Sequence, residues 1–420
     1  MPVGDRFIVF LIYTREDVPL RLDEAFLTSH ADCHIHLITT ERVTFSNGCR
    51  ARSAAALVPH RFKTTSDINV ESVRRIIRRV VGNSSRPFEI ITLSESAVDM
   101  TGKIKLELGL VDRDFSRFVD KDKMKREASL AGVATPRYVL FDRDRFLENR
   151  QSYTTDVVDR VGLPCFAKPI DLYGAMESKK INSLEELESW ASTCMRRDLT
   201  FEIDEFIDGT VYQCDSIVCD GVSEFCQVSV SSRPWSEIYH GHNVGLRTVR
   251  SEDTTTRRVK AVAERINRHF MRGMSGVTCL EVFVREDEIV FLEIAYRPAG
   301  AGIASSPYFT RSSNVRMNES HILAQVNPRW RPRALFMNYV GWVIIPLPPR
   351  GGKLREITVP PVSCQIETYW NVEIDKNITE NDGINSYAGA VLLWSRDYQE
   401  LTEAYESILD KCALHVEAGT

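Results

Sequence analysis

Two glutamates in this 420-residue chain have a spacing that suits metal chemistry. Glu281 lies in CLEVFV and Glu293 in FLEIAYRPAGAG, and a turn over residues 286–288 places the two side chains opposite each other on a hairpin. Opposed carboxylates repel each other unless a cation lies between them. Because Mg²⁺ binds one or two carboxylates together with phosphate oxygens, the pair predicts a magnesium site.

Apolar residues surround both glutamates. Period-two alternation predicts one face made of Val282, Val284, Val290 and Leu292, and another made of Glu281, Phe283, Phe291 and Glu293. The alternative is a hairpin end that carries two solvated glutamates. Since glutamate is rarely buried without a partner, the apolar surroundings favour the metal site.

Two lysines upstream of the hairpin have positions that suit phosphate binding. Lys121 opens a predicted helix in KDKMKREASLAGV, and Lys168 ends the strand FAKP before the loop IDLYGAMES. Lysine contacts phosphate as a point charge, and N–H groups of a loop of small residues close over it. Further on, the backbone of FEIDEFIDG (201–209) is suited to contact an adenine, although a strand that ends in a turn explains this segment equally well.

Histidines offer a weaker second set of candidates. His240 and His242 are two residues apart in HGHNVGLR, so on a strand they would share a face, but the sequence provides no third metal ligand. His34 and His36 in the N-terminal strand are predicted to lie at the edge of a core.

Strands and helices that position these residues fall into three predicted parts, which together form an α/β and α+β fold. Residues 1–111 alternate strand and helix, including a helix from Ile68 to Val81, and predict an open α/β lobe. Residues 112–325 contain the lysines, the hairpin and a long helix from Thr254 to Met271. Residues 326–420 end in the helix DYQELTEAYESILDKC and predict a smaller α+β domain.

Composition is that of an ordinary globular protein, with 43% hydrophobic and 26% charged residues. The net charge of -5 excludes the basic footprint of a protein that binds nucleic acid or an anionic membrane. None of the ten cysteines stands in a CxxC motif, which predicts buried thiols in a reducing cytosol. The apolar segment FIVFLIY (7–13) is too short to span a bilayer and predicts a buried strand of a parallel sheet.

Five segments, in the right order over roughly residues 112 to 305, resemble the ATP-grasp superfamily: DKDKMKREASLAGVATP, FAKP, DEFIDGTVYQCD, CLEVFV and FLEIAYRPAGAG. The residues before 112 look like the pre-ATP-grasp lobe of that family, and the C-terminal part resembles the extra domain of its larger members. The ending EIAYRPAGAG is most similar to the L-amino acid ligases, which are dipeptide synthetases, and to their carnosine-synthase-like relatives.

The resemblance implies a two-lobed ATP-grasp domain with a lobe boundary near residues 200–210, and an ATP-dependent ligase that forms an amide bond through an acyl phosphate. The implied roles are phosphate binding by Lys121 and Lys168 beneath a loop from Gly174 to Ser178, adenine binding by Asp204, Glu205 and Ile207, and Mg²⁺ (or Mn²⁺) binding by Glu281 and Glu293. Arg297 would hold the acyl phosphate and the tetrahedral centre, with backbone N–H groups near Gly300 and Gly302. His242 would contact an oxyanion or receive the proton of the amine, and a structural loop histidine is the alternative.

Three positions depart from the family pattern. The phosphate loop YGAMES has one glycine, Val211 replaces a common ribose-binding glutamate, and Ala295 replaces an asparagine common after the second metal glutamate. The first two leave open an altered use of the nucleotide. The third also occurs in the amino acid ligases and therefore favours that subgroup.

Two other functions compete with amide-bond formation between an amino acid, or a similar carboxylate, and an amine. One is an ATP-grasp enzyme that activates bicarbonate or formate, and the other is a nucleotide-binding regulatory module without turnover. Both lysines, both glutamates and Arg297 favour catalysis, since binding alone does not need an arginine for an oxyanion. We expect a cytoplasmic protein with small-molecule substrates and no nucleic-acid or membrane partner. The sequence leaves the oligomeric state open, and a homodimer is the assembly that the resemblance to the family offers.

Overall fold

The computed structural model describes residues 7–14, 22, 29, 33–40, 63–65, 68–82, 87–304, 306–381 and 387–418. None of the helices in these ranges combines the length and the apolar composition that crossing a membrane requires.

A parallel sheet forms the N-terminal part, in the order β3-β2-β1-β4. Its strands are β1 (Phe7–Tyr13), β2 (Cys33–Thr40), β3 (Lys63–Thr65) and β4 (Phe88–Thr92). Central strand β1 is buried from Ile8 onward, which confirms the prediction for FIVFLIY. Helices α1 (Val70–Val81) and α2 (Val98–Glu107) pack on one face of the sheet through apolar side chains such as Ile77 and Ile104.

A second, antiparallel sheet in the order β5-β8-β6-β7 forms the next part. Its strands are β5 (Tyr138–Leu140), β6 (Cys165–Pro169), β7 (Lys179–Ile181) and β8 (Phe201–Glu205). Four helices accompany it: α3 (Lys121–Leu130), α4 (Arg143–Glu148), α5 (Arg150–Val161) and α6 (Leu184–Cys194). Helix α3 begins at Lys121 because the preceding Asp120 side chain accepts a hydrogen bond from the Lys123 N–H at 3.1 Å.

An antiparallel sheet of eight strands in the order β13-β12-β9-β10-β11-β14-β18-β16 is the largest unit. The strands are β9 (Thr210–Cys219), β10 (Val222–Ser231), β11 (Val244–Thr248), β12 (Gly276–Arg285), β13 (Glu288–Ala295), β14 (Tyr339–Pro346), β16 (Gln365–Trp370) and β18 (Tyr387–Ser395). Helix α7 (Thr254–Phe270) packs on one face, and α8 (Tyr308–Ser313) and α9 (Met317–Val326) pack on the other.

The C-terminal residues both extend this sheet and form a small one. Strands β15 (Gly352–Thr358), β17 (Asn377–Ile378) and β19 (Ala413–Ala418) make the small sheet, and α10 (Tyr398–Lys411) packs on β14 and β18. The mixture of a parallel sheet and antiparallel sheets with helices confirms the predicted α/β and α+β fold. The three domain boundaries stay predictions, since β14 follows residue 326 and pairs with β11.

Gly276, which opens β12, provides a test of this packing. Its φ is +147°, and a Cβ there would lie 2.7 Å from the Tyr296 ring, whereas Gly273 has φ +70° and no neighbour within 4 Å. Because both alanine substitutions strain the backbone but only one overpacks the ring, Gly276→Ala should lower the free energy of unfolding by about 1–3 kcal/mol more than Gly273→Ala. Urea denaturation measures both, and equal losses would contradict the packing described.

Candidate active site

Glu281 and Glu293 lie directly opposite each other on β12 and β13, as predicted, but the turn and the strand register between them differ from the prediction. Arg285 pairs with Glu288, so the turn consists of two residues, Glu286 and Asp287, and Glu286 has φ +49°. Pairing then skips one residue, Leu292, which forms a bulge next to Glu293. The longer predicted turn was wrong, and the bulge restores the glutamate pairing.

The bulge also changes which residues share a face with the glutamates. Phe291 pairs with Val282 and packs with it in the core beneath α7, where its ring stacks on Phe270. The predicted face that grouped Phe291 with the two glutamates was therefore wrong. An extra residue in one strand reverses the alternation beyond it, and the sequence pattern does not reveal it.

Strand β9, on the other side of β12, adds two polar residues that sequence analysis missed. It places Gln213 opposite Glu281 and Asp215 opposite Cys279. Asp215 is fully buried, and its Oδ2 accepts a hydrogen bond from Gln213 Nε2 at 2.8 Å. Polar residues at alternate positions of a strand-like segment, TVYQCDSIVC, were the available indication.

Negative charge accumulates where these strands meet. Burial, and then the Glu293 and Asp215 carboxylates, raise the pKa of Glu281 well above its usual range. Within the described ranges, no three His, Cys, Asp or Glu side chains are grouped closely enough to hold a metal ion by themselves. Mg²⁺ shared with a polyphosphate needs only one or two carboxylates, so the pair fits such an ion.

A buried cluster of four charges lies on the second sheet and α3. Lys168 Nζ lies 3.0 Å from Asp204 Oδ2 and 3.5 Å from Glu202 Oε1. Lys125, one helical turn after Lys121, forms ion pairs with the same two carboxylates, at 2.9 Å from Glu202 Oε1 and closely with Asp204. The sequence predicted Lys168 and Asp204 as site residues but not Lys125 and Glu202, because nothing in it places a helix residue against β8.

The four charges set one another's ionisation. Burial opposes the charge on Lys168, but Asp204 and Glu202 outweigh it and raise the pKa of this lysine above its usual range. Burial likewise opposes ionisation of Asp204, yet Lys168 and Lys125 lower the pKa of that carboxyl. For Glu202, burial dominates over the lysines and raises the pKa. Asp204 is thus the carboxyl of the cluster whose ionised form is favoured.

Lys121 contacts the loop that follows β6. The Lys121 ammonium donates to the Leu172 carbonyl, and its backbone N–H donates to Ile170 at 2.8 Å. The Gly174 carbonyl accepts a hydrogen bond from Tyr239 Oη at 2.9 Å, and the Ser178 N–H donates to Ala175 at 3.3 Å. The loop predicted to cover phosphates therefore lies beside Lys121. Tyr239, in the short 3₁₀ helix between β10 and β11, binds this loop through its hydroxyl.

The three residues predicted to line adenine occupy the strand end as expected, but two side chains have other partners. The Asp204 carboxylate faces the lysines, and Glu205 Oε1 and Oε2 accept hydrogen bonds from Arg137 N and Nε, each at 2.9 Å. Ile207 is buried. Both side chains are therefore engaged within the protein, and the Glu205 N–H also donates to the Arg137 carbonyl at 2.8 Å.

Arg297 forms a two-nitrogen ion pair with Glu95, which begins the short helix before α2. Its Nη1 also donates to the Pro298 carbonyl at 2.9 Å. Gly300 lies next to the guanidinium, since a Cβ there would be 3.4 Å from Nη1, and Gly302 has φ +75°. Glu95 was missed in the sequence because it lies about two hundred residues away in the N-terminal part.

His242 differs from the other predicted catalytic residue, Arg297, because its side chain is largely exposed. Its ring is 53% exposed, and Nε2 lies 3.8 Å from Glu237. His240 ends a short 3₁₀ helix and β11 begins only at Val244, so the premise that the two histidines share a strand was wrong. No contact joins His242 to Glu281, Glu293 or Arg297 among the residues described.

Comparison with known proteins adds a second line of evidence. A family model described as the D-Ala D-Ala ligase C-terminus matches residues 128–322. D-alanine–D-alanine ligase A of Bradyrhizobium diazoefficiens is 24% identical over 214 residues, which cover 48% of this chain and 56% of that protein. The chain spans between 25% and 60% of the length of the curated relatives it matches.

Solved structures match along the whole chain. The L-amino acid ligase from Bacillus licheniformis superposes with a TM-score of 0.70 at 16% identity, covering 100% of both chains. The chain has the ATP-grasp fold. A carboxyaminoimidazole ribonucleotide synthase from Aspergillus clavatus, solved with ATP, superposes with a TM-score of 0.65 at 12% identity over 97% of this chain and 99% of that one.

The ATP-grasp assignment confirms the resemblance carried by the five segments. The matched region 128–322 contains Lys168, Glu281, Glu293 and Arg297, and it begins just after Lys121. The ligases among the relatives support the prediction of an ATP-dependent enzyme that forms C–N bonds.

The charge cluster predicts a large difference between two neighbouring lysines. Lys125→Met removes a cation that faces two buried carboxylates and should lower the free energy of unfolding by about 3–5 kcal/mol. Lys123→Met, on the exposed side of the same helix, should change it by less than about 0.5 kcal/mol. Urea denaturation measures both, and a mild effect at Lys125 would refute the charge balance described here.

Asp215 predicts a pH dependence of stability in the protein without metal. Burial raises the pKa of this carboxyl to about 7, so between about pH 4 and pH 7 the folded state holds a proton that the unfolded state has lost. Stability therefore falls as pH rises through this window, and Asp215→Asn should flatten the fall. Urea denaturation across the window, with the exposed Asp220→Asn as control, measures the slope; an unchanged slope in the Asp215 variant would argue against it.

Proposed function

We propose that this protein is an ATP-dependent carboxylate–amine ligase that joins an amino acid, or a similar carboxylate, to an amine. The observation that carries the proposal is the opposition of Glu281 and Glu293 in the same ATP-grasp fold as the Lys168 cluster and Arg297. The family match and the names of the relatives, D-alanine–D-alanine ligase and L-amino acid ligase, support an amide product.

ATP is the proposed energy source. Lys121 and Lys168 would contact its phosphates beneath the loop from Gly174 to Ser178, and the relative from Aspergillus clavatus was solved with ATP bound. The strand end at Asp204, Glu205 and Ile207 would receive the adenine, with backbone groups and the apolar Ile207 as contacts. A substrate phosphate would then compete with Asp204 for Lys168.

Glu281 and Glu293 would hold Mg²⁺, with Mn²⁺ as a substitute. A divalent ion there supplies charge neutralisation for the phosphate oxygens of the nucleotide. It would also offset the carboxylate repulsion that, in addition to burial, raises the pKa of Glu281. Phosphoryl transfer depends mainly on such positioning and neutralisation, so the chain needs no covalent nucleophile.

The proposed reaction has two steps. A carboxylate oxygen of the first substrate attacks the γ-phosphorus, the bond to the bridging oxygen breaks, and ADP leaves with formation of an acyl phosphate. The amine nitrogen of the second substrate then attacks the acyl carbon, loses one proton, and the C–O bond to phosphate breaks. The products are the amide, ADP and inorganic phosphate.

Arg297 would stabilise the oxyanion of the second step, with N–H groups near Gly300 and Gly302 as further donors. Its guanidinium is already oriented by Glu95, which leaves a planar group fixed in place before substrate arrives. His242 is proposed as the acceptor of the amine proton, and its exposed ring would have to approach the substrate for this role.

A grid of amino acid pairs tests the function directly. Phosphate release from ATP and Mg²⁺ is measured for each pair, and every positive well is analysed by mass spectrometry. Release that needs both substrates, with a product one water lighter than their sum, is expected for the ligase. Tight ATP binding without release in any well would favour a regulatory module or a substrate that is not an amino acid.

Arg297 should matter for chemistry rather than for nucleotide binding. Arg297→Ala is expected to lower the rate of product formation by about 100-fold or more, with the Kd for ATP nearly unchanged, because it removes an oxyanion donor. Arg297→Lys is the matched variant that keeps the charge but loses the fork of donors, and it should recover only part of the rate. An unchanged rate in the alanine variant would remove Arg297 from the mechanism.

A further inference from the structure

On three adjacent strands, the Gln213 side chain lies in one row with those of Glu281 and Glu293. Glu281 on β12 pairs with Glu293 on one side and with Gln213 on the other. Directly paired residues project from the same face of a sheet, so the three side chains form one row. Gln213 thus lies beside Glu281, about 5 Å away in the direction across the strands.

The Gln213 amide is oriented by its neighbour in the strand. Its Nε2 donates to Asp215 Oδ2 at 2.8 Å, which turns the amide oxygen away from that carboxylate. Gln213 is only 2% exposed, and the one hydrogen bond of its side chain to a described residue is the one that Nε2 donates to Asp215, so the amide oxygen accepts none there. An amide oxygen that is almost buried and has no donor lacks the partner that such groups normally find.

The next row of paired residues on the same strands lacks a side-chain oxygen at Ala295. Cys279 pairs with Asp215 and with Ala295, where many ATP-grasp proteins place an asparagine. Alanine offers no oxygen to a cation, and Asp215 is sealed inside the sheet. Gln213 therefore supplies, from the other side of Glu281, an amide oxygen that the Ala295 side chain lacks.

We propose that Gln213 is a ligand of the divalent cation held by Glu281, with its amide oxygen oriented by Asp215. This inference rests on the metal site of the proposed function and adds a residue to it. Carbonyl oxygens of glutamine are ordinary ligands of hard cations, and a neutral ligand adds no further repulsion between carboxylates.

The test is the affinity for Mn²⁺ with saturating ADP, measured by electron paramagnetic resonance of free Mn²⁺ after correction for ion held by ADP alone. Gln213→Met keeps the volume but removes the oxygen, and should raise the Kd for Mn²⁺ by at least about tenfold. Gln213→Glu keeps an oxygen and should bind Mn²⁺ at least as tightly as wild type.

Gln227→Met is the matched control, because Gln227 pairs with Asp215 on β10 and its oxygen already accepts from Ser312 Oγ at 2.7 Å. It should leave the Kd unchanged. Should Gln213→Met fail to fold, Gln213→Asn withdraws the oxygen by one methylene and should weaken binding as well.

The outcomes separate the two proposals. Wild-type affinity in the folded Gln213→Met or Gln213→Asn variant would overturn the ligand role while leaving the metal site intact. Absence of Mn²⁺ binding in the wild type with ADP would overturn the proposed metal site, and the role of Gln213 with it. Equal weakening by Gln227→Met would show a general effect of the sheet and would also overturn the specific role.

Discussion

Charge balance among buried side chains is the constraint on which the site depends. An ionised side chain removed from water is stable only when opposite charges face it. Lys125 and Lys168 face Glu202 and Asp204, and Arg297 faces Glu95. These pairings tie α3 to the second sheet, and the N-terminal part to the loop after β13, so the same contacts that satisfy the charges bring the parts of the fold together.

One pair of charges remains unbalanced, and that imbalance locates the chemistry. Glu281 and Glu293 oppose each other and form no ion pair with a lysine or arginine in the described ranges, and Asp215 adds to the negative field. A fold rarely keeps such repulsion unless something else offsets it. A divalent ion with a polyphosphate would do so, and it would link the glutamates to the lysines, which lie on α3 and on the second sheet.

Sequence reasoning predicted the elements of this site better than their contacts. The buried strand FIVFLIY and the start of α3 at Lys121 followed from periodicity and spacing, which are local properties. The glutamate pairing was predicted from a turn one residue too long, and the bulge compensated for that error. The bulge at Leu292 did not follow from periodicity, because one extra residue leaves the composition of the strand unchanged. The exposed position of His242 also depended on a 3₁₀ turn that a strand pattern concealed.

The sequence by itself determined which residue types were available and the order of the ATP-grasp segments, since both are properties of the linear chain. Only the tertiary structure decided which residues contact each other: Lys125 and Asp204, Glu95 and Arg297, and Gln213 and Glu281. These pairs join residues about seventy to two hundred positions apart. Their proximity results from sheet register and from packing between parts of the fold, which are set by the whole core and not by any short segment.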